Sequence, residues 1–197
     1  IPVDLLLSKE FCLNHIYIGI QKKSKEAIEK KCCELDPDGL ENYLLIKYRA
    51  DDGVGTMKVN ERFLKMAGVT VEEAWDKAMQ NICKDTVIES MDKIFSEAMG
   101  TPYDPDAEPV IPLYIISSKE NIKGASSILN REKLKEFGEK YGVKQLLVIP
   151  SSIHEMLISP YTDWMEMDQM KAMVREVNEK EVLPEERLTD QAYIMTL

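Results

Sequence analysis

The apolar positions of this chain follow two rhythms, alternation by two and recurrence by three and four, and together they mark out most of its elements. Residues 14–21 (NHIYIGIQ) alternate apolar with polar and are rich in β-branched side chains, which predicts a strand. Residues 22–33 are dense in Lys and Glu, good helix formers, and predict a short helix. Asp36-Pro37-Asp38-Gly39 is turn chemistry, because Pro presets φ and Gly accepts a positive one. Residues 43–48 and 56–59 predict two further strands, with Asp51-Asp52-Gly53 as the hairpin turn between them.

Helical spacing takes over downstream. Asn60 is placed to cap a short helix that Gly68 ends. Thr70 and Glu73 form a capping-box pattern, followed by Val71, Ala74, Trp75, Ala78, Met79 and Ile82 on one helix face. Thr86 and Glu89 repeat the capping pattern ahead of a second stripe, Val87, Met91, Ile94, Phe95 and Ala98. Residues 100–112 contain Pro102, Pro105, Pro109 and Pro112 among acids, which predicts a loop. Beyond it come a strand at 113–117, a turn at 121–124, and a helix from the Asn130 cap to Tyr141, with Gly142 at its end. A strand at 145–149 is broken by Pro150, and residues 153–158 fit a strand or a short helix. Met167, Met170, Val174 and Val177 mark a helix over 163–178, and residues 192–195 predict a strand that closes the sheet.

This order predicts an α+β protein, with a largely antiparallel sheet and helices packed mainly on one face. The expected organisation is a single domain over 1–197, with sub-lobes 1–99 and 113–197 joined by the proline-rich loop 100–112. An internal echo adds a further expectation. Val59-Asn60-Glu61-Arg62-Phe63-Leu64-Lys65 is matched by Leu129-Asn130-Arg131-Glu132-Lys133-Leu134-Lys135, with Gly68 and Gly138 in corresponding places. Two pseudo-repeated strand-turn-strand-helix lobes would produce it.

Charge narrows the function classes. The formal net charge is −10, whereas nucleic-acid and anionic-lipid surfaces are bound by clustered Lys and Arg. Neither nucleic acid nor membrane is therefore an expected partner. The locally basic stretches 22–31 and 119–144 read as solvated helix faces. Four cysteines in 197 residues are too sparse for a secreted disulfide scaffold, so a reducing cytoplasm is the expected compartment. The start, Ile1-Pro2-Val3-Asp4, reads as an internal cut point.

Candidate chemistry centres on Pro150-Ser151-Ser152-Ile153-His154-Glu155, which places hydroxyls, an imidazole and a carboxylate just after an apolar strand. Neighbouring residues point apart on strands and helices, so Ser151, Ser152, His154 and Glu155 need not converge, and no Gly-x-Ser-x-Gly elbow is present. Cys12 and His15, with Cys32 and Cys33, offer half of a metal knuckle. Asp51 to Thr56 resembles a phosphate loop but lacks its Gly-Lys-[Ser/Thr] ending. Asp104, Asp106 and Glu108 lack the spacing of a calcium loop. Met165, Met167, Met170 and Met173 suit either core packing or an adaptable binding face, and the helical spacing favours the core. No cofactor or metal is expected.

The C-terminal half carries a resemblance. Lys123-Gly124-Ala125-Ser126-Ser127 leading to a Leu-Lys-Glu-Phe helix, the Ile149 to Glu155 string, Met173 to Asn178, Pro184-Glu185-Glu186 and Leu188-Thr189-Asp190-x-x-Tyr193 are its residues. Over residues 43–193 the chain resembles an uncharacterised bacterial family (domain of unknown function, family 5688), found mainly in anaerobic gut bacteria. Members often have Asp-His-Val-Tyr where this chain has Asp190-Gln191-Ala192-Tyr193, so a role for that His would be missing here. The leading expectation is a non-catalytic cytoplasmic binding or interaction module with a protein partner, not an enzyme. The alternative is a small hydrolase-like enzyme using His154 with Ser151 or Ser152.

Overall fold

The computed structural model describes residues 2–50, 53–107, 109–110, 112–163 and 166–197. The chain has helices and antiparallel strands, as an α+β protein should, and its contacts divide it into two compact units, Ile1–Asp85 and Thr86–Leu197. The strands accordingly form two sheets, one in each unit.

The first unit runs α1 (Val3–Leu6), α2 (Lys9–His15), β1 (Ile16–Lys22), β2 (Lys30–Cys32), β3 (Leu40–Ala50), β4 (Gly53–Lys58), α3 (Glu61–Met66) and α4 (Val71–Asp85). β3 is central, with β1 along one edge and β2 and β4 in succession along the other. The register sets Ile16 opposite Ile46 and Ile18 opposite Leu44, which puts these buried residues on one face. α4 packs on β1 through the face expected for it, with Ala74, Trp75, Ala78 and Ile82 buried. Its Asn81 amide donates to the carbonyls of Leu13 (3.0 Å) and Ile16 (2.8 Å), so the helix is fixed to the α2–β1 junction. On the opposite face the Tyr43 ring lies over Gly19, where a Cβ would stand 2.5 Å from Tyr43 Cζ. Only glycine permits that approach.

Glu41 is buried on the same face as Tyr43. Burial pushes its carboxyl up, but hydrogen bonds from Gln21, Ser24 and Lys30 outweigh this and hold it below its usual range.

The helix expected over 22–33 does not form. Residues 23–29 are irregular, and β2 follows them. The backbone of Glu29 donates to Val59 and accepts from Leu44, so its polar groups are committed across the sheet before any helical turn can use them. At the β3–β4 hairpin, Ala50 pairs with Gly53, while Asp51 and Asp52 lie outside the described residues.

The second unit comprises β5 (Thr86–Ser90), α5 (Met91–Met99), β6 (Tyr114–Ser118), a 3-10 helix (Gly124–Leu129), α6 (Arg131–Tyr141), β7 (Gln145–Ile149), β8 (Glu155–Pro160), α7 (Met167–Glu181) and β9 (Tyr193–Thr196). The sheet order is β5-β6-β8-β7-β9, antiparallel at every pair. Thr86 does not cap a helix. It pairs with Ser118 at the start of β5, and Ser90 caps α5 by accepting from the Asp92 N–H at 3.2 Å.

This sheet carries helices on both faces rather than mainly on one. Tyr114, Val148 and Ile158 share one face, where Tyr114 meets Phe137 of α6 edge-on at 4.8 Å. Leu147, Ile149 and Leu157 face the other way and pack with Val174, Met167 and Met170 of α7. The reason is visible in β7, whose Leu146 to Ile149 run is apolar throughout and buried on both sides. Met167 and Met170 thus pack against the core, while Met165 and the Met173 side chain lie outside the described residues.

The expected duplication is not carried by these elements. Asn60 and Asn130 do both cap helices, accepting from Phe63 N (2.9 Å) and Lys133 N (3.1 Å). Asn60, however, follows a strand and Asn130 a 3-10 helix. Gly68 adopts φ +68 beyond α3, whereas Gly138 lies inside α6 against Leu197.

Candidate functional site

Two places in the second unit concentrate the residues that could act. The first is the turn between β7 and β8. Pro150 ends β7, and the turn closes with the Ser152 N–H donating to the Glu155 carbonyl at 3.2 Å. The Ser152 hydroxyl accepts from the His154 N–H (3.1 Å), and the Ser151 hydroxyl donates to the Glu155 carbonyl (3.3 Å). Both hydroxyls therefore serve the backbone.

The His154 ring points elsewhere. Its Nδ1 accepts from the backbone N–H of Lys123 at 3.2 Å, and its Nε2 lies 3.2 Å from Glu186 Oε1. A neutral imidazole with the proton on Nε2 satisfies both contacts. The turn is anchored further by Ile153, which donates to the Glu186 carbonyl and accepts from Ala125 N, and by the Ser117 hydroxyl, which donates to the His154 carbonyl at 2.8 Å. Gly124 sits between these groups, and a Cβ there would lie 2.7 Å from the His154 carbonyl oxygen. Lys123 takes a left-handed φ of +51 to present its N–H. Three sequence strings, Lys123 to Ser127, Pro150 to Glu155 and Pro184 to Glu186, thus meet at one hydrogen-bonded junction. Glu155 joins it through its backbone, at the first position of β8.

The other candidates are not gathered. Cys12 is buried in α2, where burial and then Glu73 push its thiol up to about 11. His15 donates Nδ1–H to the Phe11 carbonyl and stacks on the Phe11 ring. Cys32 is exposed, and Cys33 is buried with its thiol raised by desolvation. Among the described residues no three His, Cys, Asp or Glu side chains are grouped to hold a metal ion. Gly53 to Thr56 form part of β4, Asp104 and Asp106 lie in the proline-rich loop, and Glu108 falls outside the described residues.

The second place was not singled out by sequence. It is a groove of about 1420 Å³ bounded by α5, the loop after it, β6 and α6. Its floor is aromatic: Tyr114, Phe137 and Tyr141 pack with ring centroids 4.8 to 5.3 Å apart. Burial, with the Tyr141 hydroxyl next in weight, raises the Tyr114 hydroxyl well above its usual range. The rim is apolar and open, with Phe95 47%, Met99 76% and Val110 90% exposed. Of the stripe expected here, Val87 falls in β5, while Met91, Ile94, Phe95 and Ala98 lie on α5, which buries none of its residues. The loop is tied down at both ends. Gly100 closes α5 in the left-handed conformation (φ +66), and the Val110 N–H donates to Asp92 Oδ2 at 2.7 Å.

Residues 42–196 match the model of a family described as Family of unknown function (DUF5688). The chain belongs to that family. The match begins at the third residue of β3 and reaches β9, so the DUF5688 region holds both the His154 junction and the aromatic groove. No curated protein and no solved structure matches the chain. Among the described residues of this DUF5688 member, no helix is long and apolar enough to cross a membrane.

Proposed function

We propose that this protein is a non-catalytic binding module that docks a partner protein in the groove between α5 and α6. The observation that carries this reading is α5 itself. A helix with an apolar stripe ordinarily buries that stripe, whereas here Phe95 and Met99 stand open beside an aromatic floor. Open apolar side chains next to ordered aromatics are the surface type that protein partners use as anchor points. A cytoplasmic location in a bacterial cell fits the family resemblance and the free cysteines, Cys12 and Cys33 among them.

The hydrolase-like alternative, His154 acting with Ser151 or Ser152, is the weaker reading. A general base must reach the hydroxyl it activates. Here each hydroxyl is bonded to backbone, and the ring nitrogens are engaged by Lys123 and Glu186.

Affinity capture of the full-length protein from its native cells, alongside a Phe95→Glu/Met99→Glu double variant, tests the proposal. A stoichiometric partner protein retained by the wild type and lost by the variant is the expected result. No stoichiometric partner, or one that the variant keeps, overturns it.

A further inference from the structure

Resting on that reading, we infer that the groove's occupant is a partner-protein segment carrying Lys or Arg beside aliphatic or aromatic side chains. The argument is charge complementarity at a surface whose own cations are already committed. Lys93 pairs with Glu89 at 2.9 Å and stands 3.8 Å from Glu97, and Lys133 pairs with Glu136 at 3.2 Å. Lys140 lies over the Tyr141 ring, 5.3 Å from its centroid. The groove's carboxylates (Glu89, Asp92, Asp104, Asp106 and Glu136) also outnumber these lysines, which favours a cationic over an anionic ligand.

The acids divide differently. Glu89 and Glu136 are matched by those lysines, and Asp92 is spent on the Val110 N–H. The Asp104 carboxylate accepts from the N–H of Asp106 at 2.9 Å, and among the described residues neither Asp104 nor Asp106 meets a cation. The loop holds these two carboxylates beside the exposed Tyr103 and Val110. An ammonium or guanidinium placed there would meet carboxylate and aromatic faces together, both of which attract cations.

A second copy of this chain is disfavoured as the occupant, because two molecules of net charge −10 would meet at their acidic loops. A small ligand would leave the open rim of Phe95, Met99 and Val110 largely uncovered.

The test is a display selection of random peptides on the immobilised full-length protein, counter-selected with a Phe95→Ser/Met99→Ser variant that removes the apolar rim without changing the charge. Groove-dependent peptides rich in Lys or Arg and apolar residues are expected. A fluorescein-labelled peptide from that pool should bind about fivefold more weakly to Asp104→Asn/Asp106→Asn, and more weakly still as salt is raised. Groove-dependent peptides without a basic bias, or equal affinity for the Asn variant, would overturn the cationic occupant and leave the groove as a docking site. A selection with no groove-dependent peptide would overturn both. A dimer of this chain that the Ser variant dissolves would assign the groove to a second copy instead.

Discussion

Val110 donates its backbone N–H to the Asp92 carboxylate at 2.7 Å, so the far end of the proline-rich loop is fastened to the first turn of α5. Asp92 lies at an N-terminal helix position, where negative charge is favourable, and the bond is charge-assisted. Replacing Asp92 with Ala should free the loop without unfolding the sheet. Amide exchange at Val110 should quicken roughly tenfold, from the loss of about 1.5 kcal/mol. Hydrogen-exchange mass spectrometry of the peptide containing Val110 measures this, and unchanged exchange would show that the loop is held by other contacts.

The Tyr43 hydroxyl makes alkaline stability a readout of the first unit. Burial, and then the Glu26 carboxylate, raises it from 10.0 to about 12. Because the fold holds this group neutral to a higher pH than the unfolded chain does, its contribution is complete below about pH 10. It is lost as pH rises through the folded value. The side chain is 2% exposed, so the loss should approach 2–3 kcal/mol, about two pH units of linkage. Urea unfolding of wild type and Tyr43→Phe at pH 9 and pH 11.5 checks it: the Phe variant should lose less stability between the two. Equal losses would place the titration elsewhere.

How much was legible in the sequence depends on whether the deciding contacts were local. α4 and α6 were visible because their caps and stripes lie within a few turns of one another, as with Thr70 and Glu73 or Asn130 and Gly142. β2 was not, because Lys30-Lys31-Cys32 becomes a strand only through pairing with Glu41 to Tyr43. β5 was hidden in the same way: Thr86 and Glu89 mimic a helix cap, and the strand is settled by β6. For the site, the strings around Lys123, His154 and Glu186 were readable, but not that they meet at one hydrogen-bonded junction, because the contacts that join them are long-range. The groove was illegible because Phe95, Tyr114 and the Phe137–Tyr141 pair come from three elements, α5, β6 and α6, and no local pattern joins them.

His154 should behave as a structural residue. Replacing it with Ala leaves the Lys123 N–H and the Glu186 carboxylate without their partner, at a cost of about 1–3 kcal/mol. Ser151→Ala and Ser152→Ala should each cost about 1 kcal/mol. Thermal denaturation reads these losses. In parallel, hydrolysis of p-nitrophenyl acetate should be the same for folded wild type and for both serine variants. A folded serine variant with clearly reduced hydrolysis would restore the catalytic reading.

The docking claim is tested most directly by photo-crosslinking in living cells, with benzoylphenylalanine placed at Met99 or, as a control, at the exposed Glu176 on α7. The expected result is one discrete adduct with a partner protein from position 99 and none from position 176. Adducts of the same pattern at both positions, or none at either, would contradict a docking groove between α5 and α6.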